Sequence, residues 1–235
     1  MSEKDPVFFK YYFIFGNGHK LSISIKLNEE TLKYEPDDIR PSSWTKLDYN
    51  KCSNCPLNSS EHKECPLALN LSAVVPQFSD IHSFDNVHVM VETYDRTFSK
   101  NTSMQNALSA MLGILMVTSD CPNMESLKPM VRFHLPFATV EETVFRSVST
   151  YLLGQYFRYK KGKQPDWDLK ALKDNYNKIQ IVNQGMAKRM RSIADKDANV
   201  NALVVLDIFA KELPFSIEQS LKQLEYLYSS SLTAE

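Results

Sequence analysis

Apolar and polar residues alternate in two stretches near the start of the chain. FFKYYFIF, at positions 8–15, is rich in aromatic residues, and KLSISIKL follows at positions 20–27. Asn17-Gly18 lies between them, and Asn-Gly flanked by alternating residues is the strongest short signal for a β-hairpin. We therefore predict a hairpin whose second strand has one covered face and one wet face. The covered face carries Leu21, Ile23, Ile25 and Leu27.

A third alternating stretch, NVHVMVETY at positions 86–94, predicts a strand that joins the hairpin. Its valines, at positions 87, 89 and 91, share one face. Residues 96–99 predict a short fourth strand.

From about Thr102 the apolar spacing changes to steps of three and four, which is typical of helices. Met104–Val117 is apolar on more than half of its circumference and predicts a buried central helix. Thr139 followed by Glu142 forms a capping-box pattern that predicts the start of a long helix. A clean amphipathic stripe predicts another helix over Asp168–Ala194.

Proline positions shape the other predicted helices. A helix from Pro66 to about Phe78 should end or kink at Pro76, and a short helix is predicted over Met124–Phe133. Val200–Phe209 and Ile217–Tyr228 are predicted as two helices because Pro214 lies between them.

These elements predict an α+β fold in a single module spanning residues 1–235. Residues 1–100 contain the hairpin, a cysteine segment and the sheet, and residues 101–230 contain a helical bundle. We call residues 51–71 the cysteine knuckle and expect it at the junction of sheet and bundle.

Composition narrows the classes of partner. The net charge of −1 produces no global field toward nucleic acid or an anionic membrane. The longest apolar run, near Ala110–Val117, is too short to span a bilayer, and the first residues carry no signal-peptide pattern. We therefore expect a cytoplasmic protein, and in that reducing compartment clustered cysteines are more often metal ligands or catalytic groups than disulfides.

The cysteine knuckle, KCSNCPLNSSEHKECPLALNL, contains three of the four cysteines of the chain. A C-x2-C pair can place two sulfurs on one tetrahedral ion because a short turn brings both to the same side. The fourth cysteine lies far downstream in SDCPN. The candidate ligands are Cys52, Cys55, Cys65 and Cys121.

Three of the cysteines precede a proline. Proline is favoured at the first helical position, so Cys65 and Cys121 are predicted helix N-caps, and Cys55-Pro56 could act in the same way. Free N–H groups and partial positive charge at a helix N-terminus should lower the thiol pKa and favour the metal-binding thiolate.

A structural Zn²⁺ site with four cysteines is the favoured hypothesis, and it places the four sulfurs within about 4 Å of one another around a tetrahedral ion. The alternatives are a Cys3His site with His62 or His134, an iron–sulfur cluster, a C-x-x-C redox pair, and unrelated buried thiols. The sequence does not place the C-x-x-C pair in a βαβ pattern, which disfavours the redox pair.

A second candidate group surrounds Pro136. Arg132, His134 and Glu142 could form a catalytic set, with His134 and Glu142 as an acid–base pair, if the flanking helices pack together. The simpler interpretation, which we favour, is that Glu142 caps its helix and pairs with Arg146. The chain contains no metalloprotease, nucleophile-elbow or glycine-rich phosphate motif.

Basic residues cluster at the ends of two predicted helices. The first cluster is interleaved with Tyr156, Phe157 and Tyr159, and the second contains Lys188, Arg189 and Arg191. Stacking on single-stranded nucleic acid is one interpretation. We favour solvated helix C-termini that complement the helix dipole, and so expect no nucleic-acid partner.

The chain resembles a family of uncharacterised bacterial proteins that share a domain of unknown function. The resemblance rests on CSNCPL…ECPLALNL, SDCPN…LKPMVRFHLPFATVEETVFRS and VNALVVLDIFAKELPFSIEQSL. It covers nearly the full length and implies a bacterial cytosolic origin and a single full-length module. The family has no established activity, cofactor or partner, so the resemblance assigns no functional residue.

The sequence favours a zinc-binding, non-enzymatic interaction or regulatory module with an unknown protein or small-molecule partner. The alternative is a redox or sensor protein that uses an iron–sulfur cluster or thiol chemistry.

Overall fold

The computed structural model describes residues 7–36, 38–193 and 196–232. Four antiparallel strands form one sheet in the order β2-β1-β3-β4. The predicted hairpin and third strand are confirmed, and the fourth strand is longer than predicted. The strands are β1 (Val7–Phe15), β2 (Lys20–Leu27), β3 (Asn86–Glu92) and β4 (Thr97–Ser103).

One face of the sheet is buried against helices, as the alternation predicts. Ile23 and Ile25 of β2 are buried, whereas Ser22, Ser24 and Lys26 are exposed. The three valines of β3 are also buried. Alternating burial follows from the strand geometry, in which successive side chains point to opposite faces.

Seven α-helices follow the first hairpin in the described part of the chain. The predicted helix Met104–Val117 is confirmed at both ends, and the capping box of Thr139 and Glu142 starts a 21-residue helix. The helices are α1 (Pro66–Ser72), α2 (Met104–Val117), α3 (Lys128–Arg132), α4 (Val140–Lys160), α5 (Lys170–Arg191), α6 (Ala198–Leu224) and α7 (Ser229–Leu232).

Two predicted helices are split in the structure. The segment Pro66–Phe78 contains α1 and a separate 3₁₀ turn, Val75–Phe78, because Pro76 cannot continue the helical hydrogen bonds of α1. The segment Met124–Phe133 begins earlier, as the 3₁₀ helix Pro122–Leu127, and continues as α3. Helix α5 is confirmed over Lys170–Arg191, while Ala194 lies outside the described residues.

The prediction of two helices separated by Pro214 is wrong, because α6 is one helix of 27 residues. A proline inside a helix costs about 3 kcal/mol through a lost hydrogen bond and a steric clash. Burial on both sides of the proline offsets this cost. The buried positions recur every seven residues, at Leu203, Ala210, Ile217 and Leu224, so a continuous helix keeps one face toward the core.

A cluster of buried apolar side chains contains residues of both the sheet and the helices. Tyr11 and Phe13 of β1 belong to it, as do Leu108, Met111 and Leu112 of α2. The fold is therefore α+β, as predicted. No helix within the described residues combines the length and apolar character that crossing a bilayer requires.

Candidate metal centre

The cysteines lie at the ends of irregular segments. Cys52 and Cys55 lie in the loop between β2 and α1, where the Cys55 N–H donates to the Cys52 carbonyl at 3.0 Å. Cys65 is the N-cap of α1 and Cys121 is the N-cap of Pro122–Leu127, which confirms both predicted caps. No helix starts after Cys55, so the third predicted cap is wrong. All four thiols are free.

Two asparagines hold the cysteine segments together. The Asn123 side chain, two residues after Cys121, donates to the backbone carbonyl of Asn54 at 3.1 Å. The Asn54 side chain donates to the carbonyl of Lys178 on α5 at 3.0 Å. The C-x2-C turn is thereby fastened both to the segment of Cys121 and to α5.

The four cysteines are electrostatic neighbours. The pKa of Cys121 is raised to about 12, mainly by burial; the N–H of Asn123 opposes the shift, and the negative charges of thiolates at Cys65, Cys52 and Cys55 add to it. Burial likewise raises the pKa of Cys52 to about 11, with Cys65 as the next cause. The fold therefore brings Cys121 to the three cysteines of the knuckle, which lie more than 50 residues earlier.

The helix N-termini lower the pKa values of the thiols they adjoin, as predicted, but burial raises these pKa values by more. Burial is the main cause that raises the pKa of Cys65, while the N–H groups of Ala68 and Leu67 lower it. Neither Cys65 nor Cys121 accepts a capping hydrogen bond. The expectation of lowered thiol pKa values is therefore wrong for Cys65 and Cys121. Without a cation, the raised pKa values keep the thiols of Cys52 and Cys121 protonated at neutral pH, which disfavours Cys52 as a reactive redox thiol.

A buried arginine lies beside the thiols. Arg189 of α5 is 1% exposed, and its Nη1 donates to the carbonyls of Trp44 at 2.6 Å and Lys46 at 2.7 Å. Its Nη2 donates to the carbonyl of Leu47 at 2.9 Å. Although burial has the larger influence on Cys52 and Cys65, the positive charge of Arg189 opposes it and lowers their pKa values.

Arg189 has no carboxylate partner among the ion pairs of the described residues, and its buried Nε lacks a hydrogen-bond partner there. A buried cation without a counter-charge is costly. Thiolates at the neighbouring cysteines would supply negative charge to this site.

The sequence interpretation of Arg189 as a solvated helix-end residue is wrong. The apolar stripe of α5 contains Val182, Met186 and Met190, and Arg189 falls on the same face, seven residues after Val182. That spacing was the available signal for its burial. Asn54, Asn123 and Gly185 carried no comparable signal.

Gly185 allows the C-x2-C loop to approach α5 closely. A β-carbon at this position would lie 2.5 Å from the Cys52 sulfur, well inside van der Waals contact. Glycine inside a helix costs about 1 kcal/mol relative to alanine. The close approach of Cys52 gives a physical reason for a glycine at this position in spite of that cost.

The donor set fits a thiophilic metal. Cysteine sulfurs select zinc or iron–sulfur clusters over magnesium and calcium. Gly185 makes room for one sulfur and Arg189 carries a compensating charge, so the residues present fit an anionic thiolate centre. Within the described residues, no three His, Cys, Asp or Glu side chains already stand as a ready set of metal ligands. The convergence of four sulfurs on one ion therefore stays a prediction.

The candidate histidine ligands lie in other surroundings. His62 is exposed in the loop. His134 packs edge-on against Phe9, with ring centroids 5.4 Å apart, and its Nε2 lies 3.4 Å from the Tyr11 hydroxyl.

The three residues of the predicted catalytic set, Arg132, His134 and Glu142, have different surroundings. Glu142 Oε2 accepts from the Thr139 N–H at 2.7 Å, which confirms its role in the capping box. Arg132 is in the last turn of α3. Burial, followed by the positive charge of Arg146, lowers the pKa of His134 to about 3. His134 is therefore neutral at physiological pH and is too weak a base for general-base catalysis there.

Comparisons with known proteins identify the family of this chain. No match was found among curated proteins or among solved structures. A family model described as "Domain of unknown function (DUF6901)" matches residues 9–229. Since this match spans most of the chain, the protein belongs to that family.

Proposed function

We propose that the protein binds a structural zinc ion through its four cysteines and acts as a non-enzymatic interaction or regulatory module in the cytoplasm. The influence of Cys65, Cys52 and Cys55 on the pKa of Cys121 supports the proposal, since it indicates that a cysteine far along the chain lies near the cysteine knuckle.

A structural role follows from the surroundings of the loop. No residue of the stretch 48–64 is fully buried, and only Tyr49, Cys55 and Leu57 pack partly against the apolar core, so this stretch gains little stability from apolar burial. Metal binding can supply the missing folding free energy, as it does in small zinc domains. Zinc would join the loop, α1 and the segment after α2 at one point.

A bound cation would also offset the repulsion between the thiolates. Burial and mutual repulsion raise the thiol pKa values, and a bound divalent cation reverses the repulsion by favouring the thiolates. Four thiolates around Zn²⁺ leave a negative site, which the buried charge of Arg189 partly offsets. A site with four protein ligands has no open position for substrate, which favours a non-enzymatic role.

Metal analysis of the purified full-length protein tests the proposal. We expect one zinc per chain and a colourless solution. Cys52→Ser should lose the zinc, whereas Ser53→Ala, an exposed neighbour in the same turn, should keep it. Bound iron with visible absorption would indicate an iron–sulfur cluster and overturn the assignment of zinc. A folded protein without metal would overturn the whole proposal.

A further inference from the structure

A cavity of about 210 Å³ lies between α2, α5, α6 and the segment around α3. Its wall is mainly apolar and includes Ile114, Val117, Val131, Ile179 and Leu206. At ~30 Å³ per water molecule, the volume corresponds to about seven waters. This is smaller than a drug-sized pocket and suits a ligand of about ten non-hydrogen atoms.

Most polar groups of the cavity are already engaged. The Tyr176 hydroxyl donates to Ser147 at 3.0 Å, and His134 lies in hydrogen-bond contact with Tyr11. Arg146 differs from them. Only its Nη2 donates to described residues, namely to the carbonyls of Met130 at 3.0 Å and Phe133 at 2.9 Å.

Arg146 therefore brings a positive charge and unused N–H donors to an apolar wall. No ion pair among the described residues includes it. Burial lowers the pKa of Arg146, which shows that its charge is poorly solvated. Two backbone carbonyls hold one edge of the guanidinium in place, so the remaining donors are preorganised.

A guanidinium preferentially binds a carboxylate, and a partly buried pair of this kind makes strong charge-assisted hydrogen bonds. An apolar chain attached to the carboxylate would fill the rest of the cavity. We propose that this cavity binds a small carboxylic acid with an apolar body, the carboxylate pairing with Arg146. The proposal is independent of the metal site.

Titration of the purified full-length protein with octanoate, followed by calorimetry, tests the proposal. Octanol serves as the neutral probe of similar length. We expect octanoate to bind at least about tenfold more tightly than octanol, because only octanoate makes charge-assisted bonds. Equal binding of the two probes, or no binding of octanoate, would overturn the proposal.

Two variants separate the charge from the cavity. Arg146→Gln should weaken octanoate binding about tenfold or more and leave octanol binding unchanged. Gly113→Leu places a side chain in the cavity near Leu206, whose Cδ2 lies 3.7 Å from a β-carbon at this position, and should weaken both probes.

Thermal unfolding of both variants shows whether they remain folded. Arg146→Gln contradicts the proposal if it is folded and binds octanoate as the wild type does. If Arg146→Gln fails to fold, Gly113→Leu decides: unchanged octanoate binding would place the ligand outside this cavity.

Discussion

The sulfur of Cys52 lies only 2.5 Å from the position that a β-carbon on residue 185 would occupy. This relationship couples the C-x2-C loop to the middle of α5, 133 positions later in the chain, and gives a role to a glycine that the helix would otherwise exclude. The neighbouring turn of α5 carries Arg189, so one helix supplies both the space and the positive charge beside the cysteines.

Gly185→Ala should therefore destabilise the protein, although alanine is the better helix former. The added methyl group must displace Cys52, a short side chain with little freedom to move away. We expect a lower midpoint of thermal unfolding and a lower zinc content. Gly154→Ala in α4 is the matched control, since nothing lies within 4 Å of its β-carbon, and it should stabilise by up to about 1 kcal/mol. Equal stabilisation by both substitutions would refute the close contact.

Arg189→Met should lower the free energy of unfolding by about 3 kcal/mol or more. It leaves the carbonyls of the buried residues Trp44 and Leu47 without their side-chain donor, and each unsatisfied buried group costs about 1–3 kcal/mol. The Lys46 carbonyl loses the same donor but keeps the N–H of Tyr49. Urea unfolding measures the change.

The control for Arg189 is Arg191→Met, in the same last turn of α5 but exposed, which should change stability by less than about 0.5 kcal/mol. Zinc affinity should fall in Arg189→Met only, because the positive charge that favours the thiolates is lost. If Arg189→Met leaves the zinc affinity unchanged, the charge of Arg189 does not contribute to metal binding.

Removal of the metal should destabilise the wild-type protein. A strong chelator is expected to lower the free energy of unfolding by about 3 kcal/mol or more, because zinc binds the folded state selectively. Cys121→Ser should start from the lower stability and respond little to the chelator. A full chelator response in Cys121→Ser would exclude Cys121 as a ligand.

His134 should make stability depend on pH below neutrality. Its folded-state pKa of about 3 lies below the ordinary value of 6.5, so between these values the unfolded chain binds a proton that the folded chain does not. Above pH 6.5, His134 does not affect the free energy of unfolding. As the pH falls from 6.5 toward 3, the effect of His134 lowers the free energy of unfolding by at most about 1.4 kcal/mol per pH unit.

The groups that face His134 are Arg146, whose charge opposes protonation, and the Tyr11 hydroxyl. His134→Gln should flatten the dependence of unfolding free energy on pH between 4 and 6, roughly the middle of that window. His19→Gln, in the exposed hairpin turn, should retain it. Parallel pH profiles for wild type and His134→Gln would contradict the assignment.

The local elements were largely predictable because their patterns repeat over many residues. Alternating valines predicted β3, an apolar circumference predicted α2, and Thr139 with Glu142 predicted the start of α4. The Cys-Pro pairs predicted the caps at Cys65 and Cys121 for a similar reason, since a cap depends on two or three adjacent residues.

Contacts between distant residues were decided by the tertiary structure. Pro214 predicted a break, but the buried positions that repeat every seven residues keep α6 continuous. The helix N-termini predicted lowered thiol pKa values, but burial outweighs them at Cys65 and Cys121.

The sequence by itself determined the strands, most of the helices and the four candidate ligands, because local propensity and spacing are properties of neighbouring residues. Only the tertiary structure placed Gly185 and Arg189 beside the cysteines and Arg146 in the wall of a mainly apolar cavity. Burial and electrostatic coupling depend on which distant segments pack together, and no short stretch of sequence contains that information.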